Sequence, residues 1–221
     1  MKLTCGCRKI DKNVGPISQG TLLVLFGPAG SGKTTLSLQY SLQAMIMKGR
    51  VMYVNTEDPM FVDRLYNMAS SRRLKFNSRL FHVFEAKSFD EQHRLIVKIL
   101  PLICKSYDLI VIDSLTGLFR LEAGEAEIER VLKMLNMQLA TLRAIVENYN
   151  VACIATSQVR GAAEGEDEYV ASAYNALRYW AHIILKLDRS ITFNKRSIEI
   201  VKHPKNVKIK FKVIIRDEGL I

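Results

Sequence analysis

No stretch of this 221-residue sequence approaches the roughly 18–20 consecutive apolar residues that a membrane span requires. Met1-Lys2-Leu3-Thr4-Cys5 also lacks the apolar core of a secretion signal. These absences predict a cytoplasmic chain with no membrane partner. Cysteine is scarce: four residues, with Cys5 and Cys7 too close together for the usual zinc spacing and no second ligand pair beside them. Cys104 and Cys153 fall in apolar segments, where a thiol acts as a small core side chain. All four are expected to be reduced. Acidic residues are the other shortage, 22 against 32 Lys and Arg, for a net charge of +10. Most of the excess lies between Lys186 and Arg216, where ten basic residues stand against two acids. A polyanionic partner would account for that ribbon, and so would a solvated sheet edge guarded by lysines.

What is present is a globular composition, 48% apolar, in a length that fits one domain over residues 1–221 with a sizeable core. The chain is centred on Gly27-Pro28-Ala29-Gly30-Ser31-Gly32-Lys33-Thr34. The apolar run Leu22 to Phe26 precedes it, and a segment with Leu38 and Leu42 at helical spacing follows. A strand, a glycine-rich loop and a helix in that order form a phosphate-binding loop. Its glycines let backbone N–H groups curl around phosphate oxygens, and the helix start adds its positive dipole end. Lys33 can reach the β- and γ-phosphates, and Thr34 can ligate Mg²⁺. A bound nucleoside triphosphate is expected.

Elsewhere, apolar strand-length segments alternate with amphipathic ones. The strands are Val51–Asn55, Leu80–Phe84, Asp108–Asp113 and Val151–Thr156. Helices are expected over 61–70, 90–104 and, on a long apolar stripe, 122–149. A polar loop is expected from Ser157 to about Tyr174, and residues 1–20 form a lead-in segment. Three β segments close the chain over 181–221, the last two alternating like antiparallel strands. The pattern predicts an α/β fold, a mostly parallel sheet covered on both faces by helices, with C-terminal antiparallel strands. Ligands in such folds sit at the carboxyl ends of strands. There, Asp113 is placed to hold Mg²⁺, and Glu57 could orient and deprotonate a water attacking the γ-phosphate. Asp58 competes for that role, and is also a good helix cap before Pro59 at a first helical position. Gln158, just past a strand end, could hydrogen-bond the γ-phosphate.

Together these motifs resemble the RecA/Rad51 recombinase superfamily, most of all its short archaeal RadB-like Rad51 paralogues. The likeness begins at Thr4 to Lys12 and runs through the loop from Gly27 to Thr35, Asn55-Thr56-Glu57, and Leu109 to Arg120. It continues in Thr156-Ser157-Gln158-Val159, Ala176 to Trp180, Lys202-His203-Pro204 and Phe211 to Ile221. It implies a RecA-like ATPase core using ATP and Mg²⁺, with Glu57 matching the catalytic glutamate. It also implies that Arg64 stacks on adenine and that Gln158 links the γ-phosphate to the second DNA-binding loop. The implied role is an accessory factor in homologous recombination and DNA repair, near the nucleoid, with slow, DNA-modulated hydrolysis and a RadA-type recombinase as a possible partner. The helical DNA-binding domain and polymerisation linker of full recombinases have no counterpart here, so a monomer or small oligomer is expected rather than a long filament. The segments matching the two DNA loops, 121–129 and 159–175, hold Glu122, Glu125, Glu127, Glu129, Glu164, Glu166, Asp167 and Glu168. Carboxylates repel phosphate, so single-stranded DNA is expected to meet the basic C-terminal segment instead, without sequence preference. A KaiC-like regulatory ATPase acting on proteins is the alternative.

Overall fold

In a computed structural model, residues 1–57, 59–122, 127–158 and 168–221 are described. The lead-in segment is folded: β1 (Lys2–Leu3) pairs with β2 (Ile17–Ser18) around α1 (Arg8–Val14). Then come β3 (Leu22–Phe26), α2 (Lys33–Ile46), β4 (Val51–Asn55), α3 (Phe61–Ser71) and β5 (Phe81–Glu85). The middle of the chain holds α4 (Phe89–Arg94), α5 (Leu100–Ile103), β6 (Leu109–Asp113), α6 (Gly117–Glu122), α7 (Ile128–Tyr149) and β7 (Ala152–Ser157). It closes with α8 (Glu168–Trp180), β8 (Ile183–Arg189), β9 (Lys195–Lys202), β10 (Lys210–Arg216) and β11 (Gly219–Leu220).

Among the described residues, a nine-stranded sheet runs in the order β11-β10-β9-β8-β3-β7-β6-β4-β5. Pairs from β8 to β5 are parallel, and those from β8 outward to β11 are antiparallel. The apolar runs are explained by burial on both faces. Leu23, Leu25, Val51, Tyr53, Leu109 and Val111 pack in the layer of α1, α2 and α3. Their sequence neighbours Leu22, Val24, Met52, Val54, Ile110 and Ile112 pack in the layer of α4 to α8. Period-two alternation thus feeds two cores from each strand.

Four expectations change. The 90–104 helix is interrupted by a wider π turn at Leu95–Ile99, because Pro101 has no N–H to return to Val97. The helix expected over 122–149 starts later: α7 begins at Ile128, with Glu127 at its cap position, and carries the whole apolar stripe. The polar stretch thought to run to Tyr174 is already helical at Glu168, because Ala173, Ala176 and Leu177 recur at helical spacing and are buried. Finally, α3 starts at Phe61 as expected, but Met60 takes the cap position and Pro59 lies in the turn before it, not at a first helical position. Phe61 pins that start by stacking on Tyr53, ring centroids 4.8 Å apart. Asp58, the expected cap, lies outside the described residues.

Candidate nucleotide site

The loop after β3 turns through backbone conformations that favour glycine: φ is +147° at Gly27, +69° at Gly30 and +102° at Gly32. Gly27 is also needed for space, since a Cβ there would lie 1.9 Å from the carbonyl oxygen of Leu187. Gly32 is the N-cap of α2, so the first free N–H groups of a 14-residue helix face the loop. Lys33 Nζ donates to the carbonyl oxygens of Gly27 and Pro28, each at 2.9 Å. The Ser31 hydroxyl is buried with no hydrogen-bond partner among the described residues. An orphaned hydroxyl, a helix start and an ammonium resting on loop carbonyls fit a polyphosphate.

Asp113, at the carboxyl end of β6, is buried. Its Oδ2 accepts from the Tyr53 hydroxyl at 2.5 Å, and its Oδ1 from the Thr156 hydroxyl. The Thr34 side chain bonds to it as well. Strand register makes this cluster: Asn55 pairs with Asp113, so Tyr53 sits two residues back on the same face. The Thr34 hydroxyl beside a buried carboxylate is a donor set that suits Mg²⁺. Burial holds the Asp113 carboxyl above the ordinary carboxylate range, and the charge of Glu57 adds to the rise, while Thr156, Tyr53 and Thr34 oppose it. The folded chain therefore binds that proton more tightly than the unfolded chain. Its stabilising contribution is complete below the unfolded pKa of about 3.9 and is lost as pH rises through the raised folded value. Asp113→Asn should accordingly gain melting temperature over the parent, in metal-free buffer, as pH climbs through that window. A difference independent of pH would contradict the burial argument.

Glu57 stands just past the end of β4, exposed, with both oxygens engaged. Oε1 accepts from the Ser114 hydroxyl at 2.8 Å and Oε2 from Gln158 Nε2 at 2.6 Å. The Gln158 carbonyl in turn accepts from Arg120 at 3.3 Å. The ends of β4, β6 and β7 thus hold one connected chain, Arg120–Gln158–Glu57–Ser114, beside Asp113. Gly117 makes room for it: a Cβ there would lie 1.7 Å from Glu57 Oε1. Gly117→Ala is expected to displace the flexible carboxylate while sparing the fold. If Glu57 takes the proton of the attacking water, as the sequence leads one to expect, the variant should lower ATP turnover by about 10²-fold or more with little change in ATP affinity. Steady-state turnover alongside nucleotide titration tests this, and unchanged turnover would remove Glu57 from the reaction.

A cleft of about 510 Å³ opens beside the loop, lined by Lys33, Thr34, Thr35 and Arg64 on one side and by Ile215 and Asp217 on the other. The C-terminal strands form that second wall because Gln39 clips them to α2, donating to the Leu220 carbonyl at 3.1 Å and accepting from its N–H at 2.8 Å. Arg72 adds a bond of 2.6 Å to the Glu218 carbonyl. Every expected site residue, from Gly27, Pro28 and Ala29 through Thr35, with Glu57, Arg64, Asp113 and Gln158, therefore lies at one end of the sheet. Tyr53, Ser114, Gly117 and Thr156 were not singled out from the sequence; their roles come from strand register, which leaves no local signature.

Beside α6, three described carboxylates share one arginine. Arg130 pairs with Glu122 at 2.7 Å, Glu127 at 2.6 Å and Asp90 at 3.2 Å. Glu125, Glu164, Glu166 and Asp167 lie outside the described residues, and the Glu168 side chain is likewise not described. All four cysteines are buried and free. Contact with Cys5 lowers the Cys7 thiol to about 6, while burial raises Cys5. Among the described residues no group of three or more metal-binding side chains gathers, and no helix is long and apolar enough to cross a membrane.

Comparison with known proteins agrees with this architecture. Residues 1–219 match the Rad51 family. The DNA repair and recombination protein RadB of Methanocaldococcus jannaschii is 31% identical over 94% of this chain and 97% of its own length. RadB of Methanosphaera stadtmanae is 30% identical over 96% and 92%. Among solved structures, one titled "Crystal structure of the RadB recombinase" superposes with a TM-score of 0.79 at 27% identity, covering 99% of this chain and 98% of that one.

Proposed function

We propose, since the chain belongs to the Rad51 family, that it is a RadB-like paralogue in homologous recombination and DNA repair, and that it binds and slowly hydrolyses ATP. The single observation that carries the ATPase reading is the convergence of Thr34 and Asp113, with Glu57 and Gln158 beside them, at the loop from Gly27 to Thr34. In this reading Lys33 leaves the carbonyls of Gly27 and Pro28 for the β- and γ-phosphate oxygens. Thr34 and Asp113 hold Mg²⁺, directly or through water. The cation, when bound, neutralises charge on the triphosphate. Glu57, its plane set by Ser114 and Gln158, orients the attacking water and takes its proton. Gln158 then carries the state of the site toward Arg120 and the segment that follows β7. Arg64, on the cleft wall, packs against the base. The repair role rests on the names of the RadB relatives, and the basic segment from Lys186 to Arg216 is the proposed DNA contact, through salt-sensitive and sequence-independent bonds.

The test is ATP binding and turnover by the full chain with and without single-stranded DNA, together with its mass in solution. Turnover that responds to DNA supports the reading. Turnover indifferent to DNA, in a chain that binds none, would favour a regulatory ATPase acting on proteins.

A further inference from the structure

The hairpin joining β8 to β9 carries charges that the nucleotide site does not use. Arg189 and Arg196 face each other across the two strands. They continue the face that holds Leu185, Leu187, Ile198 and Ile200 further down, and like charges directly opposite destabilise a sheet. Both reach the phosphate loop. Arg196 Nε donates to the Gly30 carbonyl at 3.2 Å, and a Cβ on Gly30 would meet Arg189 Nη2 at 2.4 Å. Among the described residues neither arginine has a carboxylate partner, for Asp188 is paired with Lys186 at 3.3 Å. Burial, and then the charge of Arg189, lower the pKa of Arg196, the direction expected of a cation short of counter-charge.

The turn between the two arginines adds a second feature. Ile191 and Phe193 project from it essentially bare, 108% and 90% exposed. Apolar side chains are commonly exposed one at a time, but here an aromatic and an aliphatic share a turn flanked by uncompensated guanidiniums. Charge for phosphates and a ring for bases are the two components of single-strand recognition. An apolar protein partner would match the exposed pair but bring no counter-charge to the two guanidiniums, of which Arg196 meets the neutral carbonyls of Gly30, Phe193 and Lys195.

We propose that this hairpin is a contact site for single-stranded DNA, with Arg189 and Arg196 on backbone phosphates and Phe193 and Ile191 against bases. It rests on the DNA role proposed above, and narrows it from a basic ribbon to four residues seated on the phosphate loop. Because both guanidiniums bear on Gly30, the strand and the nucleotide would meet the same stretch of backbone.

Fluorescence anisotropy of a labelled oligothymidylate, titrated with the full chain over a range of salt, tests the site. Arg189→Gln with Arg196→Gln should weaken binding and flatten the logarithmic salt slope by about 1.4, near 0.7 for each phosphate no longer neutralised. Phe193→Ser, at a bare position that does not threaten folding, should weaken binding about 5- to 150-fold at unchanged slope. Wild-type binding that both variants preserve would overturn the hairpin site and leave the wider DNA reading standing. Failure of the wild type to bind would overturn both. Phe193→Ser that shifts the mass in solution by light scattering, with DNA binding untouched, would assign the tip to a second copy and overturn the proposal as well.

Discussion

Lys33→Ala is expected to weaken ATP binding by on the order of 100-fold or more. The ammonium is buried at the mouth of the loop and bonds the Gly27 and Pro28 carbonyls at 2.9 Å, a short swing from any phosphate held by the loop amides. Transfer to phosphate oxygens would replace neutral acceptors by charged ones. Two charge-assisted bonds at about 1.5–3 kcal/mol each set the scale of the loss. The loop itself should survive, since its shape rests on glycine conformations and on the packing of Gly27 against Leu187. Titration with a fluorescent ATP analogue reads the affinity, and thermal melting gives an independent check. A ligand at 100 times its Kd stabilises the folded chain by about 2.7 kcal/mol, a gain the variant should lack. An unchanged affinity would move the triphosphate away from this loop.

Glu57→Gln should leave ATP binding near the parent value and reduce turnover by about 10²–10⁴-fold. The substitution keeps shape and removes the proposed proton acceptor. Ser114 can still donate to the remaining carbonyl oxygen, and the Gln158 amide can turn over to accept from the new NH₂ group. Arg120 then loses its acceptor on Gln158, but that contact is exposed and water can replace it. The structural cost is therefore small and the chemical cost large. Single-turnover measurements separate the two. Unimpaired hydrolysis would hand the water to Asp58 or another group. Agreement between this variant and Gly117→Ala would be informative, because the two disturb the same carboxylate by unrelated means.

Much of the fold was legible because its signals are local. Leu22–Phe26, Val51–Asn55 and Leu109–Asp113 read as strands buried on both sides because each is almost wholly apolar. The phosphate loop was legible because Gly27, Gly30 and Gly32 meet backbone demands that other residues meet poorly. Where local signals misled, a longer-range contact had decided the matter. Composition made residues 168–174 look like loop, but burial of Ala173 and Ala176 makes them helix. The Asp-Pro pair pointed to Pro59 as a first helical residue, but the helix starts at Phe61, which stacks on Tyr53.

The amino-acid order by itself determined that this chain builds a mostly parallel sheet around a phosphate loop, and that Asp113 and Glu57 stand at carboxyl ends of strands. Hydrophobic period and turn chemistry act over a few residues, so they can be read without coordinates. Only the tertiary structure decided which side chains meet there: Tyr53 and Thr156 on Asp113, Gln158 and Gly117 against Glu57, Arg189 opposite Arg196 above Gly30. Those meetings depend on register between strands and loops far apart in the chain. Register is set by the packing of the whole sheet, and no single segment encodes it.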